Sequence, residues 1–292
     1  MSLKPVRSVL YMPGSNARAL EKAKTLAADA VILDLEDAVA PDQKTQARAA
    51  VCAAVAAGGF GARQVVIRIN ALDTPWGADD LAAAVKVNPD AVLLPKPNDD
   101  KDIERATDAM RRAGATDAVA LWAMIETPLA ILNLRDLAGA AKHAGARLTC
   151  LVLGTNDLVK ETRVELDAHR TAALYWLSAS VTAARAFGLT VLDGVYNNFK
   201  DTAGYDAECR QGRKLGFDGK TLIHPDQIAN ANAVFAPAAD DVAWARKIIA
   251  AFAMPAHKGR GVITIDGRMV ELLHAEMARR TVDIADAIAA RG

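Results

Sequence analysis

One alternation runs through most of the chain: a short, almost purely apolar run, then a longer Ala-rich stretch whose apolar positions recur at helical spacing. The apolar runs are "RSVLYMPG", "AVILDLED", "QVVIRIN", "AVLLPK", "AVALWAMIET", "LTCLVLGTNDL", "TVLDGVY" and "KTLIHP". Between them lie segments such as "NARALEKAKTLAA", "DQKTQARAAVCAAVAAG" and "AHRTAALYWLSASVTAARAFG", and Gly58, Gly145, Gly188 and Gly216 stand where a helix C-cap is wanted. Strands that are apolar throughout, rather than at every second position, are covered on both faces, which is the signature of a parallel sheet under helices. Eight such units predict an α/β fold, a (β/α)8 TIM barrel, which typically takes about 250 residues. The competing open, doubly wound sheet is disfavoured by the first turn, "MPGSNARAL", which carries a single Gly and no G-x-G-x-x-G.

The pattern changes near residue 235. "DDVAWARKIIAAFAMP" reads as one more helix, and "HKGRGVITIDGRMVELLHAEMARRTVDIADAIA" as a short strand at "GVITIDG" followed by a helix. The reading is therefore a catalytic barrel over 1–235 and a C-terminal helical and strand extension over 236–292. The extension caps the barrel or reaches a neighbouring subunit.

Composition narrows the function. Hydrophobic residues make up 52% of the 292, and 35 Lys+Arg balance 35 Asp+Glu. Zero net charge argues against a basic footprint for nucleic acid and leaves room only for a local patch. Cys52, Cys150 and Cys209 show neither CxxC nor zinc spacing and read as buried or incidental thiols of a reducing compartment. The N-terminal residues lack a signal-peptide core and no run reaches membrane-spanning length, so a cytoplasmic protein with no membrane partner is expected.

In a parallel barrel the chemistry sits at the C-terminal ends of the strands. Those ends carry Glu36 and Asp37, Arg68, Lys96, Glu126, Asp157, Asp193 with Asn197, and His224. Crowded carboxylates raise one another's pKa unless a cation is present, and Glu126 with Asp157 suits a hard divalent ion such as Mg2+. Either acid alone equally reads as a helix cap or a lysine partner. Arg68 pairs with Glu36 or Asp37, grips a substrate carboxylate, or does both. Lys96 reads as an ion-pair partner, as an electrostatic group, or as a Schiff-base lysine. His224 reads as a turn histidine or as an orienting group. Ser15 and Asn16 open a helix bearing Arg18, Lys22 and Lys24, a place where a phosphate fits and where plain capping fits as well.

Seven tags in this order, "RSVLYMPGS", "DLEDAV", "VIRINA", "LLPKP", "MIETP", "GTNDL" and "KTLIHPDQI", span nearly the whole chain. Together they resemble the citrate lyase beta-subunit-like family, within the HpcH/HpaI aldolase superfamily that includes malyl-CoA and citramalyl-CoA lyases. The resemblance implies a Mg2+-dependent carbon–carbon lyase that cleaves a 3-hydroxyacyl-CoA dicarboxylate thioester, such as citramalyl-CoA, malyl-CoA or a citryl thioester. The products would be acetyl-CoA and a 2-keto acid, and the assembly a homotrimer or hexamer. By motif, Glu126 and Asp157 match metal ligands, Arg68 the substrate-binding arginine, and Glu36 and Asp37 the acids behind them. Lys96, Thr155 and Asn156 join the substrate site, and Ser15, Arg18 and Lys22 the CoA site. Asp266 resembles the acid that reaches a neighbouring subunit's site. Citrate lyase proper reads closer to "GAED" where this chain has "GTND", which favours a stand-alone CoA lyase over a subunit of a larger complex. A malyl-CoA thioesterase is the family's other branch, and an acyl-CoA-binding barrel without turnover is the non-enzymatic alternative.

Overall fold

The computed structural model describes residues 4–291, which form two compact units, one of Val6–Asn232 and one of residues 4–5 with 233–291. The first is a closed, all-parallel barrel of strands β1 (Ser8–Pro13), β2 (Ala30–Asp34), β3 (Gln64–Arg68), β4 (Ala91–Leu94), β5 (Ala120–Ile125), β6 (Leu148–Leu153), β7 (Thr190–Asp193) and β8 (Gly219–Leu222), each bonded to the next and β8 to β1. The TIM barrel expected from the alternation is the fold that forms.

Residues at every second strand position fill the barrel interior: Val9, Ile32, Val66, Leu93, Trp122 and Val152 belong to one buried cluster. The intervening positions, such as Val31, Ile67 and Leu121, are equally buried under the helices. This double burial explains why the strands read as continuous apolar runs. Helices Lys44–Ala57, Leu174–Phe187 and Thr202–Leu215 end on Gly58, Gly188 and Gly216, all at positive φ, whereas Gly145 follows a short 3-10 turn. The first helix is shorter than its sequence pattern, running only Ala17–Ala23, with Asn16 accepting the Ala19 N–H.

The wall between β7 and β8 contains a charged cluster. Lys220, fully buried, donates to Glu208 at 2.7 Å and to Asp193 at 3.2 Å, and Arg170 holds Asp193 at 2.7 Å. Two cations matched with two carboxylates make burial tolerable.

The second unit packs helix Ala239–Ala253 with an antiparallel hairpin, β9 (Val262–Ile265) and β10 (Arg268–Glu271), and helix Leu272–Ala289. Ile248, Ile263, Ile265, Val270 and Ala275 form its core. Where the sequence pattern predicts one strand and then a helix, the structure has a second strand between them. Asp266 and Gly267 both adopt positive φ between paired Ile265 and Arg268, the two-residue turn that folds a hairpin back on itself. Among the described residues no helix is long and apolar enough to cross a membrane.

Candidate active site

The acidic mouth of the barrel is built around Arg68, the last residue of β3. Asp34 ends the neighbouring β2 in register with it, and both side chains point inward by the same alternation that places Ile32 and Val66 in the interior. Asp34 grips one edge of the guanidinium with both oxygens, Oδ1 accepting from Nε at 2.7 Å and Oδ2 from Nη2 at 2.7 Å. Its oxygens also accept the Glu36 and Ala38 N–H groups, which fixes the loop leaving β2. That loop returns two further acids to Nη1, Glu36 Oε2 at 2.7 Å and Asp37 Oδ2 at 3.3 Å. The Tyr11 ring covers the guanidinium 4.9 Å away. Arg68 is thus held by three carboxylates and an aromatic face. Asp34 was not among the residues singled out from sequence; its signal was an acid on the inward-facing phase of an otherwise apolar strand.

Lys96 follows β4 and links this group to a second one. Its backbone N–H donates to Glu126 Oε1 at 2.8 Å, and its ammonium contacts Glu36 at 2.8 Å, Asp157 at 3.7 Å and Glu126 at 3.9 Å. Burial alone would lower the pKa of this amine, but Glu126, Glu36 and Asp157 outweigh that and raise it. A Schiff-base nucleophile has to be a neutral amine, so the placement of Lys96 argues against the aldolase alternative.

Glu126 leaves β5 completely buried, and its Oε2 has no hydrogen-bond partner. Burial pushes its carboxyl up to about 7; Lys96 opposes and Glu36 adds to that rise. Burial likewise raises Glu36, against Arg68 and Lys96. Asp37 is also pushed up by burial, yet the guanidinium wins there and holds it below the ordinary range. Glu126 is seated by the tag "GTND" on the next strand exit: a Cβ at Gly154 would lie 2.4 Å from Glu126 Cβ and 2.7 Å from its Oε2. Only a glycine lets β6 pass there. Helix Thr155–Thr162 starts immediately after it, with Asp157 in its first turn. Its first intrahelical bond is Leu158 N–H to Gly154, so the amides of Thr155, Asn156 and Asp157 are unused within the helix.

Five carboxylates, Asp34, Glu36, Asp37, Glu126 and Asp157, therefore share two cations, Arg68 and Lys96. Among the described residues no three His, Cys, Asp or Glu side chains converge as a ready-made metal cage. Glu126 and Asp157 still offer hard oxygens, one of them unpartnered, which suits a divalent ion that keeps most of its water shell.

The other residues singled out from sequence have partners of their own or stand exposed. Ser15, Arg18 and Lys22 are exposed at the exit of β1, at the same end of the barrel. Asn156, in the first turn of its helix, and Asn197, in the loop after β7, exchange side-chain amide bonds. Asp193 is not part of the mouth: with Leu192 facing inward, it turns outward to Arg170 and Lys220. His224 accepts the Asp226 N–H and stacks on Phe199 at 4.4 Å between ring centroids, a turn histidine. Asp266 stands in the second unit, exposed on the hairpin turn and paired with Lys247.

The HpcH/HpaI aldolase/citrate lyase family model matches residues 7–225. The chain belongs to that family. It is 48% identical over 288 residues to a (3S)-malyl-CoA thioesterase of Cereibacter sphaeroides, covering 99% of this chain and 97% of the relative. It is 35% identical to citrate lyase subunit beta of Escherichia coli K12, over 96% and 93% of the two chains. A solved CitE structure from Mycobacterium tuberculosis, in complex with magnesium, acetoacetate and coenzyme A, superposes with a TM-score of 0.73 at 30% identity, covering 95% and 97%. The family resemblance drawn from the seven tags is thereby shown.

Proposed function

We propose that this family member is a Mg2+-dependent enzyme of 3-hydroxydicarboxyl-CoA thioesters, and that its reaction is hydrolysis of malyl-CoA to malate and CoA. The observation that carries the chemistry is the excess of carboxylates at the barrel mouth, with the buried, unpartnered Oε2 of Glu126. The similarity to a malyl-CoA thioesterase along 99% of the chain favours hydrolysis over the carbon–carbon cleavage expected from the motifs. Magnesium, which is bound in the Mycobacterium CitE complex, would be held here by Glu126 and Asp157 and would supply Lewis acidity toward the substrate's oxygens.

The residues of the chain do the rest. Asp34 keeps the Nε/Nη2 edge of Arg68 occupied, so the guanidinium meets an incoming carboxylate at Nη1 by exchanging its longest and most exposed ion pair, Asp37. The unused amides of Thr155 and Asn156, at a helix start with its positive dipole end, face a developing oxyanion with donors already in place. Lys96 links the two acidic loops through its 2.8 Å contact with Glu36. Ser15, Arg18 and Lys22 take the CoA phosphates.

Carbon–carbon cleavage to acetyl-CoA and glyoxylate is the second reading, favoured by the 35% identity to citrate lyase subunit beta. In it Asp266 protonates the departing enolate, acting from a neighbouring subunit. One incubation separates the readings: malyl-CoA with Mg2+, following free thiol and keto-acid hydrazone together. Hydrolysis releases thiol without keto acid, cleavage releases keto acid without thiol, and neither product sinks both. Mixing Glu126→Gln with Asp266→Asn subunits restores keto-acid release only if Asp266 works in trans.

A further inference from the structure

Lys96 has a backbone that suits a different residue. Its φ is +52°, the left-handed region where glycine is at ease and a side chain is not, yet the chain keeps a lysine there. The turn points its N–H at Glu126 and its ammonium among Glu36, Asp157 and Glu126, at 2.8, 3.7 and 3.9 Å. Only the first of these three is a close ion pair. The other two separations are those of a charge balancing a group of acids, not of a fixed bond. The same side chain lines a cavity of about 660 Å3 beside Leu72, Asn98 and Leu129, and is about one-third exposed. The ammonium therefore has somewhere to go without repacking the barrel.

We infer that Lys96 is an exchangeable counter-cation: its ammonium balances Glu126 and Asp157 until a divalent ion arrives, then withdraws toward the adjoining cavity. The inference rests on the reading of Glu126 and Asp157 as the metal ligands. It gives the lysine a role different from substrate capture or covalent catalysis. Metal binding becomes a trade of one cation for another, which weakens the affinity and keeps the ion replaceable.

The test is the affinity for Mn2+, used as the probe and read by paramagnetic resonance of the free ion, in wild type, Lys96→Met and Lys96→Gly. The second variant removes the ammonium while suiting the left-handed backbone. Removing a like charge this close to the ion is expected to tighten binding by at least about tenfold in both. Unchanged or weaker binding in folded variants overturns the inference while leaving the metal site standing. A wild type that binds no Mn2+ overturns it through its premise. Wild type alone supplies a second measurement: acylation of Lys96, mapped by peptide mass, should accelerate severalfold when Mg2+ is added, and an unaltered or slower rate counts against the exchange.

Discussion

Glu126→Gln in the metal-free protein isolates the consequence of burying that carboxylate. A group whose pKa moves from 4.5 to about 7 on folding, as burial does here, holds its proton more tightly in the folded chain by about 3 kcal/mol, at 1.36 kcal/mol per pK unit. The sign follows: this acid's folded pKa is raised, so its contribution is present in full below the unfolded pKa and lost as pH rises through about 7. Glutamine is neutral at every pH and fills the same space. Any cost of placing an amide where Oε2 stood is independent of pH and cancels between conditions. Urea unfolding of both proteins in EDTA, at about pH 5 and about pH 8.5, should therefore show wild type losing roughly 2–3 kcal/mol relative to the variant across that interval. Saturating Mg2+ at the higher pH should recover the loss in wild type, by roughly 2.7 kcal/mol at a hundredfold excess over Kd, and leave the variant unmoved. Stability curves that run parallel in pH would show that Glu126 titrates normally and carries no burial penalty.

Arg68→Lys removes the bidentate pairing with Asp34, since an ammonium lacks the two parallel N–H donors; kcat/KM for the thioester should fall at least about a hundredfold, with urea denaturation also reporting a loss of stability. Gly154→Ala drives a Cβ into Glu126, so Mn2+ affinity should weaken and stability fall by about 1–3 kcal/mol, checked by metal titration and thermal unfolding. Lys220→Met leaves Asp193 with Arg170 as its remaining close cation inside the wall and should destabilise by roughly 3–5 kcal/mol in urea. Burial would raise Asp193, but Lys220 and Arg170 hold it below the ordinary range, so its contribution stands in full above about pH 4 and drains away in more acid solution. In Lys220→Met that acid-side loss should begin at higher pH.

The barrel was legible because each strand is buried on both faces, which writes it into the sequence as a continuous apolar run. The acids at Glu36, Asp37, Glu126 and Asp157 were legible because a charge closing such a run has no place in a core. Asp34 escaped notice because it lies one pleat inside its run, where only the phase shared with Ala30 and Ile32 reveals that it faces Arg68. Asp193 misled for the converse reason. It too ends a strand, but on the outward phase, and its partner Lys220 sits in "DGKTL", where a lysine gives no sign of being fully buried. The hairpin strand β10 hid behind the helix that follows it, although "DG" between two alternating segments is a strong local turn signal. The roles proposed for Thr155 and Asn156 depend on where a helix starts relative to a glycine that permits close approach, and that is a property of packing, not of composition.

The proposed chemistry depends on Glu126 and Asp157 sharing one divalent ion at the mouth of the barrel. Crystals equilibrated with MnCl2 and measured at an energy where manganese scatters anomalously test that directly. The prediction is a single strong anomalous peak within bonding distance of a carboxylate oxygen from each residue, lost in Glu126→Gln. A peak that touches neither carboxylate, or none at saturating manganese, would contradict it.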